Sequence, residues 1–132
     1  MSDELASVVI DVPRGGFIKR NDDGAIDFVS PIPSPFNYGH MPGTLADDGD
    51  AVDAVVLGPR LPRGTCTRVV VRGTIGFVDA GVADPKQICS DRPIDPGERR
   101  RVEGFFRRYA AVKRLINRVR GEQGTTRYLG WL

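Results

Sequence analysis

The chain has 132 residues, of which 16 are glycine and 10 proline, a turn-rich composition that suits one domain over residues 1–132 and argues against a helical bundle. Its net charge of +2 hides two opposed blocks: residues 1–91 carry eight Lys/Arg against thirteen Asp/Glu, and residues 92–132 carry eleven against four. No stretch approaches the roughly eighteen apolar residues of a membrane-spanning helix, and Met1-Ser2-Asp3-Glu4 lacks the basic start and apolar run of a signal peptide. A cytoplasmic protein with no membrane partner is therefore expected. Cys66 and Cys89 are too few for a disulfide scaffold and lack metal-ligand spacing, so both are expected as free thiols.

Ser7 to Val12 reads as a strand closed by Pro13 and the Gly15-Gly16 pair. Phe17 to Arg20 and Ala25 to Val29 flank the turn formers Asn21-Asp22-Asp23-Gly24, which predicts a hairpin. Ser30 to Gly43 carries Pro31, Pro33, Pro35 and Pro42, and is expected to be an ordered loop. Val52 to Leu57, Cys66 to Arg72 and Thr74 to Val78 are β-branched strands, with a weaker one at Lys86 to Cys89. Asp95-Pro96-Gly97-Glu98 is a helix start: an N-cap carboxylate, proline at the first helical position and Glu three residues after the cap. Val102, Phe105, Phe106, Tyr109, Val112, Ile116 and Val119 then form one apolar stripe, and Gly121 suits the position after the helix end. The expected fold is α+β, mainly β: a small five-stranded antiparallel, OB-like barrel with one long C-terminal amphipathic helix.

The chemistry lies in the aspartates. Asp47, Asp48, Asp50 and Asp53 crowd a loop-to-strand junction, and Asp79, Asp84 and Lys86 follow another strand. Two carboxylates about 4 Å apart repel by roughly 4 kcal/mol at an effective dielectric near 20. A few such pairs rival the roughly 5–15 kcal/mol stability of a whole domain. A converged cluster must therefore protonate or hold cations, and oxygen-only donors favour a hard ion such as Mg2+ over Zn2+. The alternative is that these residues are solvated turn carboxylates that never meet. His40 is the only histidine, so no second imidazole can complete a nitrogen site, and it is read as structural or exposed.

The string Asn37-Tyr38-Gly39-His40, followed by Asp48-Gly49-Asp50-Ala51-Val52-Asp53, resembles the signature of the family I soluble inorganic pyrophosphatases, with Ala51 where proline is usual. Val8 to Pro13 is similar to the family's first strand, Ile18-Lys19 to its substrate lysine, and Asp79 to Lys86 to its second acidic element. Phe105-Phe106-Arg107-Arg108-Tyr109 is similar to its tyrosine-bearing helix, and Gly130-Trp131 to its closing pair. These motifs occur in order across most of residues 7–131. The resemblance implies hydrolysis of inorganic diphosphate to two phosphates by a metal-activated water, with several Mg2+ ions and Mn2+ as a substitute. It implies Asp48, Asp53 and Asp84 as ligands of the activating ions, Asp79 as ligand of a further ion that arrives with substrate, and Asp50 as general base. Lys19, Tyr38, Lys86 and Tyr109 would hold phosphate oxygens or order the site, and Asp11 would support the metal shell. Bacterial relatives commonly form homo-oligomers, which the resemblance allows here.

The chain also departs from the pattern. Arg20 and Asn21 stand where an aromatic and a Glu are usual, Pro31 lies near the place of a clamping arginine, Ser34 replaces a common tyrosine and Ala110 replaces a lysine. Lys113, four residues after Tyr109, is on the same helix face, and either Lys113 or an arginine, Arg108 or Arg20, is expected to replace a lost phosphate contact. Two other readings stay open. One is a degenerate pyrophosphatase-like protein that binds diphosphate or weakly hydrolyses another phosphoanhydride. The other is a nucleic-acid module, disfavoured because the helix aromatics lie on the buried stripe rather than on an exposed platform.

Overall fold

The computed structural model describes residues 4–16, 33–47 and 49–132 in full, and residues 18–20 and 26–29 by their backbone. The elements in chain order are β1 Glu4–Val12, β2 Ile18–Arg20, β3 Ile26–Val29, β4 Asn37–Met41, β5 Val52–Val56, β6 Cys66–Asp79, β7 Val82–Ala83, β8 Lys86–Cys89, α1 Pro96–Arg120 and β9 Arg127–Trp131. β2 and β3 pair as the expected hairpin, whose turn lies outside the described residues. No helix among the described residues is long and apolar enough to cross a membrane.

Five strands close into a ring in the order β1-β4-β5-β8-β6, with β6 returning to β1. Four of the five pairings are antiparallel and one, β5 with β8, is parallel. A ring with an odd number of strands cannot alternate direction all the way round, so one parallel pair is a topological necessity within the mostly antiparallel ring that was expected. β6 is a single long strand rather than two: Gly73 continues it, and a register shift between Val71 and Gly73 bends it from its pairing with β1 toward β8. Its far half also carries β7 and β9.

The proline-rich segment corrects another expectation. Residues 37–41 form a strand bonded on both edges, to β1 and to β5, and not a loop. Pro35 and Pro42 lie outside it, so every residue inside retains its N–H for a ladder. Gly39 is required there, because a Cβ at that position would collide with the Val9 carbonyl of β1.

Alternation along the strands builds two cores. Val8, Ile10, Ala54, Val56, Val69 and Cys89 fill the ring interior. Val55, Ile75, Phe77 and Ile88 point outward and meet Val102, Phe105, Phe106 and Ala110 of α1. The helix begins as expected, with Asp95 and Glu98 forming a reciprocal capping box, and ends at Gly121 in the left-handed conformation (φ 73°). The Glu98 N–H bond holds the Asp95 carboxyl below its ordinary pKa. The apolar stripe is shorter than expected: Val119 is 81% exposed, and Asn117 is the buried side chain of the last turns. Cys66 is exposed and Cys89 buried, and both are free.

Phe106 is fully buried and meets Phe36, Phe77, Phe105 and Tyr109. Phe106→Ala should lower the unfolding free energy by about 3–5 kcal/mol. Urea denaturation measures this, and a loss below about 1 kcal/mol would contradict the helix-on-ring core.

Candidate active site

The outward positions at one end of β5 and β8 are polar. Asp53 and Lys86 are register partners across the parallel pair, and Lys86 faces Ile75 of β6 on its other side. Asp84 sits two residues before Lys86, in the link from β7, where its N–H donates to the Phe77 carbonyl at 2.8 Å. The Lys86 ammonium donates to Asp53 Oδ2 at 2.6 Å and to Asp84 Oδ2 at 2.8 Å. Lys86 is 1% exposed, and the two carboxylates are mostly covered. The Tyr38 hydroxyl of β4 donates to the same Asp53 oxygen at 2.8 Å. The rings of Phe77 and Tyr38 lie 5.4 Å and 5.6 Å from the ammonium.

The titration behaviour reports the local field. Burial pushes the Lys86 ammonium toward neutrality, but Asp53, Tyr109 and Asp84 together outweigh it and its pKa is raised. Burial pushes the Tyr38 phenol well above its ordinary value, and Asp53 adds to the effect. Burial also pushes Tyr109 up to about 12, opposed by Lys86 and reinforced by Asp53, Asp84 and Asp79. Both acidic sets thus act on the Tyr109 phenol, although they are distant in sequence. Both phenols stay protonated at neutral pH and are hydrogen-bond donors.

The remaining expected residues fall around this junction in different ways. Asp79, at the end of β6, contacts α1: its Oδ1 accepts from Asn117 Nδ2 at 2.7 Å and its Oδ2 lies 3.3 Å from Lys113 Nζ. Lys113, expected to face phosphate, therefore has a carboxylate partner. Asp11 pairs with His40 Nδ1 at 2.8 Å, which gives that histidine a structural partner. Asp50 is exposed in the loop leading into β5, and its carbonyl accepts from the Ala46 N–H at 2.8 Å. Asp48 lies outside the described residues, and Lys19 is described by its backbone in β2 alone. Sequence reasoning missed Asn117, Thr126 and Phe77. Asn117 had a signal: Tyr109, Lys113 and Asn117 recur at four-residue spacing, a polar continuation of the apolar stripe.

No three His, Cys, Asp or Glu side chains among the described residues gather as a ready metal cage. The donors that do meet are oxygens. Asp53 and Asp84 share one ammonium, which leaves the junction net negative, and the acidic loop 47–50 leads directly into β5. This chemistry suits a hard divalent ion held by Asp53 and Asp84 and completed from the loop.

Residues 8–127 match the sequence profile of the family described as inorganic pyrophosphatase. The inorganic pyrophosphatase of Thermus thermophilus is 34% identical over 131 residues, covering 83% of this chain and 74% of the relative. That of Gluconobacter oxydans is 37% identical over 91 residues, covering 63% and 53%. The crystal structure of the Thermus thermophilus enzyme superposes with a TM-score of 0.78 at 29% identity, covering 97% of this chain and 82% of that one.

Two outcomes test this geometry. Lys86→Met leaves two covered carboxylates without their shared cation, and should cost about 3–5 kcal/mol in urea denaturation at pH 7. A neutral effect would contradict the junction. In alkaline titration Tyr109 should keep its proton until about pH 12, whereas the unfolded chain releases it near the ordinary value of about 10. Unfolding then releases a proton between those values, so stability falls as pH rises through that window. Phenolate absorbance and melting temperature followed together check this, and full ionisation of all tyrosines near pH 10 in the folded protein would contradict it.

Proposed function

The chain belongs to the inorganic pyrophosphatase family, and on that premise we propose that the Asp53–Lys86–Asp84 junction is its catalytic centre, hydrolysing inorganic diphosphate to two phosphates. The observation that carries the assignment is the buried ammonium shared by two carboxylates beneath two protonated phenols. Asp53 and Asp84, with Asp48 earlier in the sequence, are the residues that would hold hard divalent ions, Mg2+ first and Mn2+ as substitute. Such ions supply positive charge that acidifies a water and neutralises phosphate oxygens.

The protein's own groups perform the rest. Asp50, on the solvent side of the loop, accepts the proton of the attacking water. The water oxygen bonds to one phosphorus as the bridging P–O bond breaks, and the electron pair leaves on the second phosphate. Lys86, whose raised pKa keeps it cationic, opposes the charge that develops on the phosphate oxygens. Tyr109 donates a hydrogen bond to those oxygens, Tyr38 orders the site through its bond to Asp53 Oδ2, and Lys19 is a further cation of the substrate set. Asp11 supports the site through His40. The two free cysteines are consistent with a cytoplasmic location, and the shared outer core of ring and helix with one domain over residues 1–132.

One observation favours the second reading, a degenerate pyrophosphatase-like protein that binds diphosphate or weakly hydrolyses another phosphoanhydride: Lys113 is engaged by Asp79. A phosphate-release assay separates the two. The first reading expects turnover of diphosphate at millimolar Mg2+ and none with excess chelator. It also expects Asp50→Asn to lower kcat by about 10²–10⁴-fold with the fold intact. Calorimetric binding of diphosphate without phosphate release would favour the second reading.

A further inference from the structure

Asp79, like Asp53 and Asp84, meets an ammonium, and it also meets an amide of α1. Its Oδ1 takes the Asn117 amide at 2.7 Å, and its Oδ2 faces the Lys113 ammonium at 3.3 Å. Asn117 is 8% exposed. Its amide nitrogen also donates to Thr126 Oγ1 at 2.9 Å, so both of its N–H bonds are used. Thr126 is 3% exposed, and its hydroxyl oxygen accepts from the Ala80 N–H at 3.0 Å, the residue that follows Asp79. The next N–H, that of Gly81, donates to the Thr125 carbonyl at 2.8 Å. The turn that carries Asp79 is thereby fastened to the segment after α1, and its carboxylate to the helix itself.

We propose that Lys113 and Asn117 take the place of a divalent ion at Asp79, so that this chain engages diphosphate with one ion fewer than a site in which every acidic residue serves as a ligand. The inference rests on the catalytic reading of the Asp53–Asp84 junction. An ion at any of these three carboxylates meets an ammonium partner, but at Asp79 it must also compete on the other oxygen with a buried amide held from both sides. A lysine at this position supplies one positive charge permanently, where an ion would supply two and exchange with solvent. Tyr109, Lys113 and Asn117 lie on one helix face at four-residue spacing, so α1 delivers a phenol, a cation and an amide to the same side of the ring. Ala110, beside Tyr109, supplies no charge, and Lys113 one turn later is the cation that this face offers. Lys113 and Asn117 are positioning residues here, setting the charge and ion count of the site.

The test is to count bound Mn2+ by calorimetry and by electron paramagnetic resonance of free ion, in the presence of the non-hydrolysable analogue imidodiphosphate. Wild type is compared with Asp79→Asn, Lys113→Met, Lys113→Arg and Asp53→Asn, each checked for folding by circular dichroism. The expected result is an unchanged ion count for Asp79→Asn, with affinity within about twofold of wild type. Lys113→Met should gain one ion per chain, and Lys113→Arg should behave as wild type. Loss of one ion in Asp79→Asn, or no gain in Lys113→Met, overturns the inference. Should Asp79→Asn fail to fold, the two Lys113 variants carry the test. Asp53→Asn should lose an ion in every case. If it does not, the reading of the Asp53–Asp84 junction fails, and the inference falls with that premise rather than on the Asp79 evidence.

Discussion

A single buried ammonium organises this molecule. Lys86 is almost without solvent contact, and an unpaired cation there would carry a desolvation cost of several kcal/mol. Asp53 and Asp84 make the position tolerable, and Lys86 makes their proximity tolerable in turn. Removing Lys86 would leave two covered carboxylates facing each other, whereas removing one carboxylate would leave a balanced ion pair. The arrangement is also expensive as a pure stability device, since apolar residues could fill the same space. A net negative junction lined by oxygen is understandable when a further cation belongs to its working state.

The ring topology puts these groups within reach. Five strands force one parallel pair, and that pair sets Asp53 directly beside Lys86. An antiparallel neighbour would have reversed the register and carried the ammonium away from the β5 entrance loop. Alternation then sends Ala54 and Val56 inward and Asp53 and Val55 outward, so the polar junction continues directly from the apolar surface under α1. Phe77 and Phe105 pack against the Tyr109 ring and hold it over the acidic groups. The helix thus has two tasks along its length: its first half closes the outer core, and its second half meets Asp79.

Much of this is legible in the amino-acid sequence. The helix is, because its start is chemical: Asp95, Pro96 and Glu98 satisfy orphan N–H groups in a known pattern. The strands at 52–56 and 86–89 are, because β-branched residues mark them. β4 was hidden because prolines on both sides mask a proline-free segment whose N–H groups are intact. β9 was hidden because five residues with a glycine near the end carry little periodicity. The aspartate cluster was visible as a list of residues, but which of its members share a partner depends on register, and register was set by the odd ring. Asn117 is masked in the sequence by an apolar stripe that points on to Val119, which instead faces solvent.

The central claim is that Asp53 and Asp84 form the cation-binding heart of a diphosphate-hydrolysing site. Anomalous diffraction from crystals soaked in Mn2+ tests it most directly. The expected result is an anomalous peak within bonding distance of the Asp53 and Asp84 carboxylates. Peaks confined to other surfaces, with those two carboxylates bound to Lys86 alone, would contradict it.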